Sequence, residues 1–168
     1  MPALSCLVRV ASLSDDATLR SMVLRLEQHE TSPGTLYPPF DDPTGFTDDW
    51  WHSRNVYGED SHWWSAADES EGEIARAEVG PESTAGSAYG VAAPASGFVE
   101  IYFLEVREDC RRAGIGTEVV HLLLEAYPRR TFVAFSEEAD QFWATLGWTM
   151  YLHRSSPMNR PLFVSASR

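Results

Sequence analysis

The stretch that decides the fold runs from Val99 to Gly116. It reads Val99-Glu100-Ile101-Tyr102-Phe103-Leu104-Glu105-Val106, then Arg107 to Cys110, then Arg111-Arg112-Ala113-Gly114-Ile115-Gly116. The first part is apolar at nearly every position, which predicts a central strand that is covered on both faces. Residues 117–127 that follow predict a helix, which Pro128 ends.

This strand leads into a glycine-containing turn and a helix N-terminus, an arrangement that suits phosphate. The first N–H groups of a helix are unpaired and carry partial positive charge, and glycine lets the backbone approach a ligand closely. Arg111 and Arg112 add positive charge at the same place. No Lys-Ser/Thr pair follows the glycines and no GxGxxG is present, which excludes a Walker loop and a dinucleotide fingerprint.

The elements on either side of this stretch predict an α/β or α+β fold with a mixed sheet. Four prolines make 31–46 irregular, and the small residues of 83–88 predict a loop. Ser136 is expected to cap a helix that ends at Gly147. The remaining predictions are strands at 7–11, 63–68, 73–79, 131–135, 149–154 and 161–166, with helices at 15–30 and near 47–55.

Length and composition indicate one globular domain, 1–168, of 18.8 kDa. Cys6 and Cys110 form no CxxC pair, and the five histidines show no metal-ligand spacing, so neither a disulfide framework nor a metal is expected. No apolar run reaches the roughly 18 residues that a membrane span needs, and the N-terminus lacks a signal-peptide pattern. The expectation is a cytoplasmic protein that does not bind membranes.

The charge of the chain is strongly negative and unevenly distributed. The net charge is −12, and all 13 basic residues are arginines. Residues 1–98 contain 16 acidic residues and 5 arginines, whereas 99–168 contain 9 and 8. This balance argues against nucleic-acid binding. The acidity of the first part either maintains solubility or attracts a cationic partner.

Two motifs resemble those of the Gcn5-related N-acetyltransferase (GNAT) superfamily. Arg111-x-x-Gly114-x-Gly116 is similar to its pyrophosphate loop, Arg/Gln-x-x-Gly-x-Gly/Ala. Ala139-x-x-Phe142-Trp143-x-x-x-Gly147-Trp148 is similar to a second hallmark, Ala-x-x-Phe-Tyr-x-x-x-Gly-Phe. The opening Val8-Arg9-Val10-Ala11, followed by Asp16-Ala17, resembles the first strand and helix of the family, so the resemblance covers nearly the whole chain and is weakest over 31–98.

The resemblance implies a mixed, splayed sheet of six to seven strands flanked by about four helices. Acetyl-CoA, as co-substrate, would lie between the fourth and fifth strands. Backbone N–H groups of 112–117 would hold its pyrophosphate, and backbone groups of Leu104 and Val106 would pair with the pantetheine arm. The implied cofactor-binding residues are Leu104, Glu105, Val106, Arg111, Arg112, Ala113, Gly114, Ile115, Gly116, Thr117, Ser136 and Phe142.

Glu100 is the best candidate for a general base. It lies eleven residues before Arg111, the spacing of the catalytic glutamate in the histone-modifying branch, and Phe98-x-Glu100-Ile101-x-Phe103 resembles that branch. A carboxylate in an apolar strand is expected to have a raised pKa. The alternative is a solvated residue at the end of the strand. Glu105 is the second candidate, although five residues place it on the opposite face of an ideal strand.

The general acid is where the chain departs from the family pattern. Trp143 occupies the position at which many members have a tyrosine, and indole cannot release its proton near neutral pH. Tyr151 or water could replace it. Cys110 is not expected to be a nucleophile, because no histidine adjoins it.

The acceptor is expected to be a cation. Carboxylates beside indole rings suit one through charge pairing and cation–π contact, and the candidates are Asp48, Asp49, Trp50, Trp51, Trp63 and Trp64. The alternative is that these tryptophans fill the core. The predicted reaction is acetyl transfer to a polyamine-like or aminoglycoside-like amine. A protein N-terminal or lysine acetyltransferase, a non-catalytic acetyl-CoA sensor, a partner-binding protein and a homodimer all stay open.

Overall fold

The computed structural model describes residues 4–10, 20–29, 46, 60–69, 71–82 and 85–166. The chain divides into two compact units, the first comprising Met1–Glu78 with Phe103–Ala126 and the second Val79–Tyr102 with Tyr127–Arg168. A 3-10 turn covers Glu108–Cys110. The other elements are β1 (Leu4–Val10), β2 (Arg20–His29), β3 (His62–Asp68), β4 (Gly72–Glu82), α1 (Ala85–Tyr89), β5 (Phe98–Val106), α2 (Ile115–Ala126), β6 (Thr131–Phe135), α3 (Asp140–Thr145), β7 (Thr149–Tyr151) and β8 (Leu162–Val164).

The first unit contains β1, β2 and β3, the part of β4 up to Glu78 and the part of β5 from Phe103 onward, and α2 packs against β1. β1 pairs antiparallel with β2, and β2 pairs antiparallel with β3. One face of α2 is apolar, so the helix buries that face and leaves its polar side outward. Its buried residues are Ile115, Val119, Val120, Leu122 and Leu123.

The segment 20–29 is a strand, and the helix predicted over 15–30 is wrong there. Leu24 and Leu26 are buried, while Val23, Arg25 and Glu27 are exposed. This is the period of two that one covered sheet face imposes. Asp68 stabilises the strand, because its buried carboxylate accepts a hydrogen bond from the Val23 N–H at 3.0 Å. Pairing with two neighbouring strands therefore overrides the helical spacing of the apolar residues.

The second unit contains the remaining parts of β4 and β5, followed in the sheet by β6, β8 and β7. β5 and β6 are parallel, with Phe98–Glu100 in register with Thr131–Val133. β8 lies antiparallel to both β6 and β7. The core of this unit is an apolar cluster of Tyr89, Phe98, Val133, Leu162 and Val164.

The mixed sheet with helices confirms the predicted fold class. The described residues form eight strands, one more than the upper prediction, because 20–29 is a strand. They include three α-helices, and the helix predicted near 47–55 lies outside the described residues. The loop predicted over 83–88 is wrong, since Ala85–Tyr89 is helical. No helix in the described parts of the chain is long and apolar enough to cross a membrane.

The helix expected to start at Ser136 is shorter than predicted. It covers Asp140–Thr145, because Glu138 has a left-handed φ of 59° that interrupts a helix at this point. Its predicted end at Gly147 is confirmed. Gly147 has a φ of 75° and donates to the Ala144 carbonyl at 3.0 Å, while Trp148 donates to the Trp143 carbonyl at 3.3 Å. These two bonds form a Schellman cap.

Candidate functional site

Arg107 fixes the connection from β5 to α2. Its side chain is buried, and its N–H donates to the Ile74 carbonyl at 2.9 Å. The guanidinium donates to both carboxylate oxygens of Asp109, at 2.7 and 3.1 Å. It also donates to the Glu71 carbonyl at 2.9 Å and to the Glu71 carboxylate at 3.1 Å. The backbone and side chain of this one residue thus tie the turn after β5 to β4 and to the turn before β4.

The charges at this junction shift the titration of the groups around them. The hydrogen bond from Arg107 lowers the pKa of Asp109, and the bond to Asp109 raises the pKa of Arg107. Burial raises the pKa of the Cys110 thiol. Cys110 is therefore a poor nucleophile, as expected from the sequence.

The turn between β5 and α2 leaves the helix N-terminus open. Arg112 and Gly114 have left-handed φ values of 62° and 83°. The Gly114 carbonyl accepts the first helical bond, from the Glu118 N–H at 3.1 Å. The N–H groups of 115–117 precede that bond and have no intrahelical acceptor. A Cβ at Gly114 would meet no atom within 4 Å, so the space beside this glycine is open.

The Arg111 side chain folds back onto β5. Its Nε donates to the Val106 carbonyl at 2.9 Å, and its Nη2 lies 3.5 Å from the Glu105 Oε1. The Glu105 side chain is 9% exposed, whereas that of Arg111 is 42% exposed. In this arrangement the guanidinium of Arg111 contacts the strand, and Arg112 is exposed at the turn.

The Val106 carbonyl points away from β4. The Val106–Arg107 peptide is trans, and its N–H donates to Ile74 in β4, so its carbonyl points to the opposite edge of β5. Leu104 lies two residues earlier and directs its backbone groups to the same edge. In the described residues, the parallel register with β6 covers only Phe98–Glu100. Leu104 and Val106 therefore offer backbone groups that β6 does not take.

The second unit holds Glu100, a predicted catalytic residue, and Ser136, a predicted cofactor-binding residue. Glu100 is 7% exposed and lies on β5, opposite Val133 of β6. Ser136 is buried after β6; its N–H donates to the Pro161 carbonyl at 2.9 Å and its Oγ accepts from the Ala139 N–H at 3.2 Å. Burial excludes the alternative that Glu100 is a solvated strand-end residue.

The residues considered for the acid role differ in environment. Trp143 is buried, with its ring centroid 4.9 Å from those of Phe142 and Trp148, so it serves packing. Tyr151 is half-buried on β7 and packs against the apolar cluster of the second unit. Tyr89 is not a candidate for this role; its hydroxyl donates to the Arg160 carbonyl at 2.7 Å, and burial raises its pKa. Tyr151 is thus the half-buried phenol among these candidates.

Of the residues predicted to bind the acceptor, Asp48, Asp49, Trp50 and Trp51 lie outside the described residues. Trp63 and Trp64 lie on β3 with 7% and 4% of their surface exposed. The Trp63 ring stacks on His29, with centroids 3.9 Å apart, and the Arg76 guanidinium lies 5.0 Å from its centroid. Both indoles belong to the core of the first unit, which favours the packing alternative for these two residues.

The structure brings the predicted phosphate- and pantetheine-binding residues together on one β5–turn–α2 segment, 104–117. The sequence analysis missed the anchor at Arg107 and the contacts of Arg111 with Glu105 and Val106. An arginine two residues before an aspartate, just after a strand, was the available signal for the first. Among the described residues, no group of three or more His, Cys, Asp or Glu side chains could hold a metal ion.

Comparison with known proteins gives one family. The sequence profile of the Acetyltransferase (GNAT) family matches residues 24–148. No curated protein sequence matches the chain. Among solved structures, the chain is similar to the histone acetyltransferase HPA2 and related acetyltransferase from Corynebacterium glutamicum ATCC 13032, at 18% identity and a TM-score of 0.44, with 62% of either chain covered.

Two further solved structures are similar over more of the chain. A bacterial toxin matches at 17% identity and a TM-score of 0.48, covering 96% of this chain and 89% of that one. A nourseothricin acetyltransferase matches at 14% identity and a TM-score of 0.42, covering 97% and 86%. The chain spans 62% of the length of the Corynebacterium protein, less than two thirds.

Proposed function

The chain belongs to the GNAT acetyltransferase family, and from that premise we propose that it transfers an acetyl group from acetyl-CoA to a primary amine. The observation that carries the proposal is the open N-terminus of α2. There the N–H groups of 115–117 precede the first helical bond and lack intrahelical acceptors, and the space beside Gly114 is open. These donors would bind the pyrophosphate of acetyl-CoA, and the positive end of the helix dipole would favour its charge.

The pantetheine arm would extend along β5. Its amides can pair with the backbone groups of Leu104 and Val106 on the edge away from β4, as an added strand would. The Val106 carbonyl is one of the acceptors on this edge. In the structure the Arg111 Nε already donates to it. The strand and the helix N-terminus adjoin in sequence through a turn that Arg107 anchors, so the two halves of the cofactor would meet one continuous segment.

Direct transfer needs a neutral amine, a polarised thioester carbonyl and a proton for the departing thiolate. Glu100 would accept the proton of the ammonium group. The free amine would then attack the thioester carbon, the C–S bond would break, the attacking nitrogen would lose its second proton to water, and the thiolate would take up a proton. Because Trp143 is buried and indole is not an acid, that proton would come from Tyr151 or water.

The acceptor is proposed to be a cationic small molecule. The first unit contains twenty acidic residues and eight arginines, which gives it the whole net charge of −12, whereas the second contains five of each. An acidic unit attracts a polyamine or aminoglycoside over about one Debye length, roughly 8–10 Å at physiological salt. Asp48 and Asp49 are the proposed contacts.

The buried Trp143 favours a second candidate, a module that binds acetyl-CoA without catalysis. An assay of thiol release from acetyl-CoA separates the two. The panel should contain polyamines, aminoglycosides, peptides with free N-termini, lysine peptides and neutral amines, and mass spectrometry should identify the acetylated product. Thiol release with one class of amine supports transfer to that class. Tight acetyl-CoA binding without turnover on any amine would instead establish the sensor.

Glu100→Gln tests the proposed base. We expect kcat to fall by about 10²–10⁴-fold, the usual contribution of proton transfer, and the pH profile to flatten. Glu105→Gln is the matched change on the same strand, and it should leave the pH profile of kcat intact. Full activity of Glu100→Gln, with a flattened profile in Glu105→Gln, would move the role to Glu105.

Charge reversal at Asp48 and Asp49 tests the acceptor class. We expect the KM of the amine to rise in the variant, and the KM of the unmodified enzyme to rise with added salt, because the attraction is long-range. The affinity for acetyl-CoA should change little. A neutral amine as the best substrate, with a KM that salt does not affect, would show that the acidity maintains solubility instead.

A further inference from the structure

We propose that Arg111 is an internal competitor of the pantetheine arm, and that Glu105 is the positioning residue that holds it in place. The inference rests on the proposed function, since it concerns how acetyl-CoA gains access to β5. In the structure the guanidinium of Arg111 takes the carbonyl of Val106 that the pantetheine arm would use. In this proposal the pantetheine arm pairs fully with the Val106 carbonyl only after Arg111 releases it.

The direction of the Val106 carbonyl makes it available to an extended ligand. It lies on the edge of β5 opposite to β4, because the N–H of the same trans peptide donates to Ile74. This edge takes an extended ligand through backbone hydrogen bonds. A carbonyl left open there would attract any extended chain, which is a hazard that proteins commonly cover. The Arg111 Nε at 2.9 Å covers it.

The position of Glu105 restricts the Arg111 side chain. Its side chain is nearly buried, and its Oε1 lies 3.5 Å from the Arg111 Nη2. A half-exposed arginine alone would sample many rotamers, and an exposed contact of this kind has little strength. The carboxylate is held on the strand, so it gives the guanidinium a second, fixed contact beside the carbonyl. Glu105 thus selects the rotamer that covers Val106.

The proposal predicts a rise in affinity for the pantetheine half when Arg111 is removed. An arginine that serves a phosphate loop would give a fall in affinity instead. If Arg111 served the pyrophosphate, its removal would weaken every phosphate-containing ligand. If it competes for Val106, its removal strengthens binding of the pantetheine half, because one hydrogen bond no longer has to be broken. A ligand that contains pantetheine but no phosphate separates the two effects.

Calorimetric titration measures the affinity of the protein for acetylpantetheine, for adenosine 3′,5′-bisphosphate and for acetyl-CoA. We expect Arg111→Ala to raise the affinity for acetylpantetheine by about two- to tenfold. The affinity for adenosine 3′,5′-bisphosphate should not rise. Arg111→Met, which keeps the aliphatic stem, provides a second variant with the same expected result if Arg111→Ala is poorly folded by thermal unfolding.

Arg25→Ala is the matched control. Arg25 forms an exposed ion pair with Glu69 in the same unit, so the variant removes the same charge and an arginine–glutamate pair without touching β5. Its affinity for acetylpantetheine should equal that of the unmodified protein. An equal rise in Arg25→Ala would show a general charge effect and would overturn the proposal.

A double-mutant cycle tests Glu105. Glu105→Gln alone should raise the affinity for acetylpantetheine by less than Arg111→Ala does, and it should add nothing in the Arg111→Ala background. An unchanged or lower affinity for acetylpantetheine in Arg111→Ala, in a protein that binds acetyl-CoA, overturns the competition alone. Failure of the unmodified protein to bind acetyl-CoA would overturn the proposed function as well.

Discussion

Two strand–turn–helix connections in this chain have the same order of elements and turns of opposite charge. β5 leads through a turn into α2, and β6 leads through a turn into α3, and each turn holds one residue other than glycine with a left-handed φ: 62° at Arg112 and 59° at Glu138. The first turn contains adjacent arginines, whereas the second contains adjacent glutamates, Glu137 and Glu138. Only the first has the electrostatics of an anion site.

The difference extends to the backbone donors. In the second turn Ser136 accepts a hydrogen bond from the Ala139 N–H, and α3 is a short helix of six residues. In the first turn Gly114 leaves open space beside the start of a helix of twelve residues. A strand–turn–helix backbone therefore does not itself make a ligand site. The charge of the turn side chains distinguishes the two helix N-termini.

Among the changes that test this contrast, Gly114→Val should have the largest effect on the affinity for acetyl-CoA. The added side chain would fill the space beside the N–H groups of 115–117 and block about two charge-assisted hydrogen bonds. The affinity for acetyl-CoA should fall about a hundredfold, measured by calorimetric titration. Gly147→Val is the control, because Gly147 has a similar φ of 75° and the same open space but ends α3. Equal losses in both variants would mean that backbone strain, not blocked donors, causes the effect.

How far the sequence predicts this contrast depends on the range of the interactions. β6 was predicted to the residue, and β5 and α2 to within two residues at either end, because continuous apolar runs, glycines and Pro128 mark them locally. The open turn at Gly114 followed from the same local pattern. β2 was missed, because apolar residues three and four apart suit a helix until two partner strands are known.

The side-chain contacts of the site were beyond such reasoning. Arg111 belongs to the motif, but local sequence does not show that its guanidinium turns back to Val106 and Glu105. Arg107 contacts Glu71, which lies 36 residues earlier in the chain. Contacts at that separation depend on which strands become neighbours, and only the fold determines that.

The hydrogen bonds that stabilise the two turns can be compared with the variants Arg107→Met and Ser136→Ala. Loss of the hydrogen bonds of Arg107 to Asp109 and Glu71 should lower the free energy of unfolding by about 2–3 kcal/mol. Ser136→Ala removes one hydrogen bond to the Ala139 N–H and should cost about 1 kcal/mol. Urea unfolding of both variants measures this. A larger cost for Ser136→Ala would reverse the ranking of the two turns.

The Arg107 anchor also predicts a pH dependence. The pKa of Asp109 is lowered in the folded protein, chiefly by the hydrogen bond from Arg107. Its stabilisation is therefore complete above the unfolded pKa of about 3.9 and is lost as the pH falls through the folded value. Asp109→Asn should remove this part of the acid sensitivity below about pH 4. An acid unfolding profile identical to that of the unmodified protein would exclude Asp109 as a contributor.

The smallest expected effect comes from the two left-handed residues themselves. Arg112→Gly and Glu138→Gly each relieve a conformation that costs a residue with a Cβ about 1–2 kcal/mol, partly offset by the greater unfolded-state entropy of glycine. Both should raise the free energy of unfolding by a similar amount, at most about 1 kcal/mol. Only Arg112→Gly should weaken acetyl-CoA binding, by about two- to fivefold, because it removes an exposed charge beside the proposed pyrophosphate site. A similar loss in Glu138→Gly, measured by the same titration, would show that the backbone conformation of these turns, and not the charge at Arg112, controls the affinity.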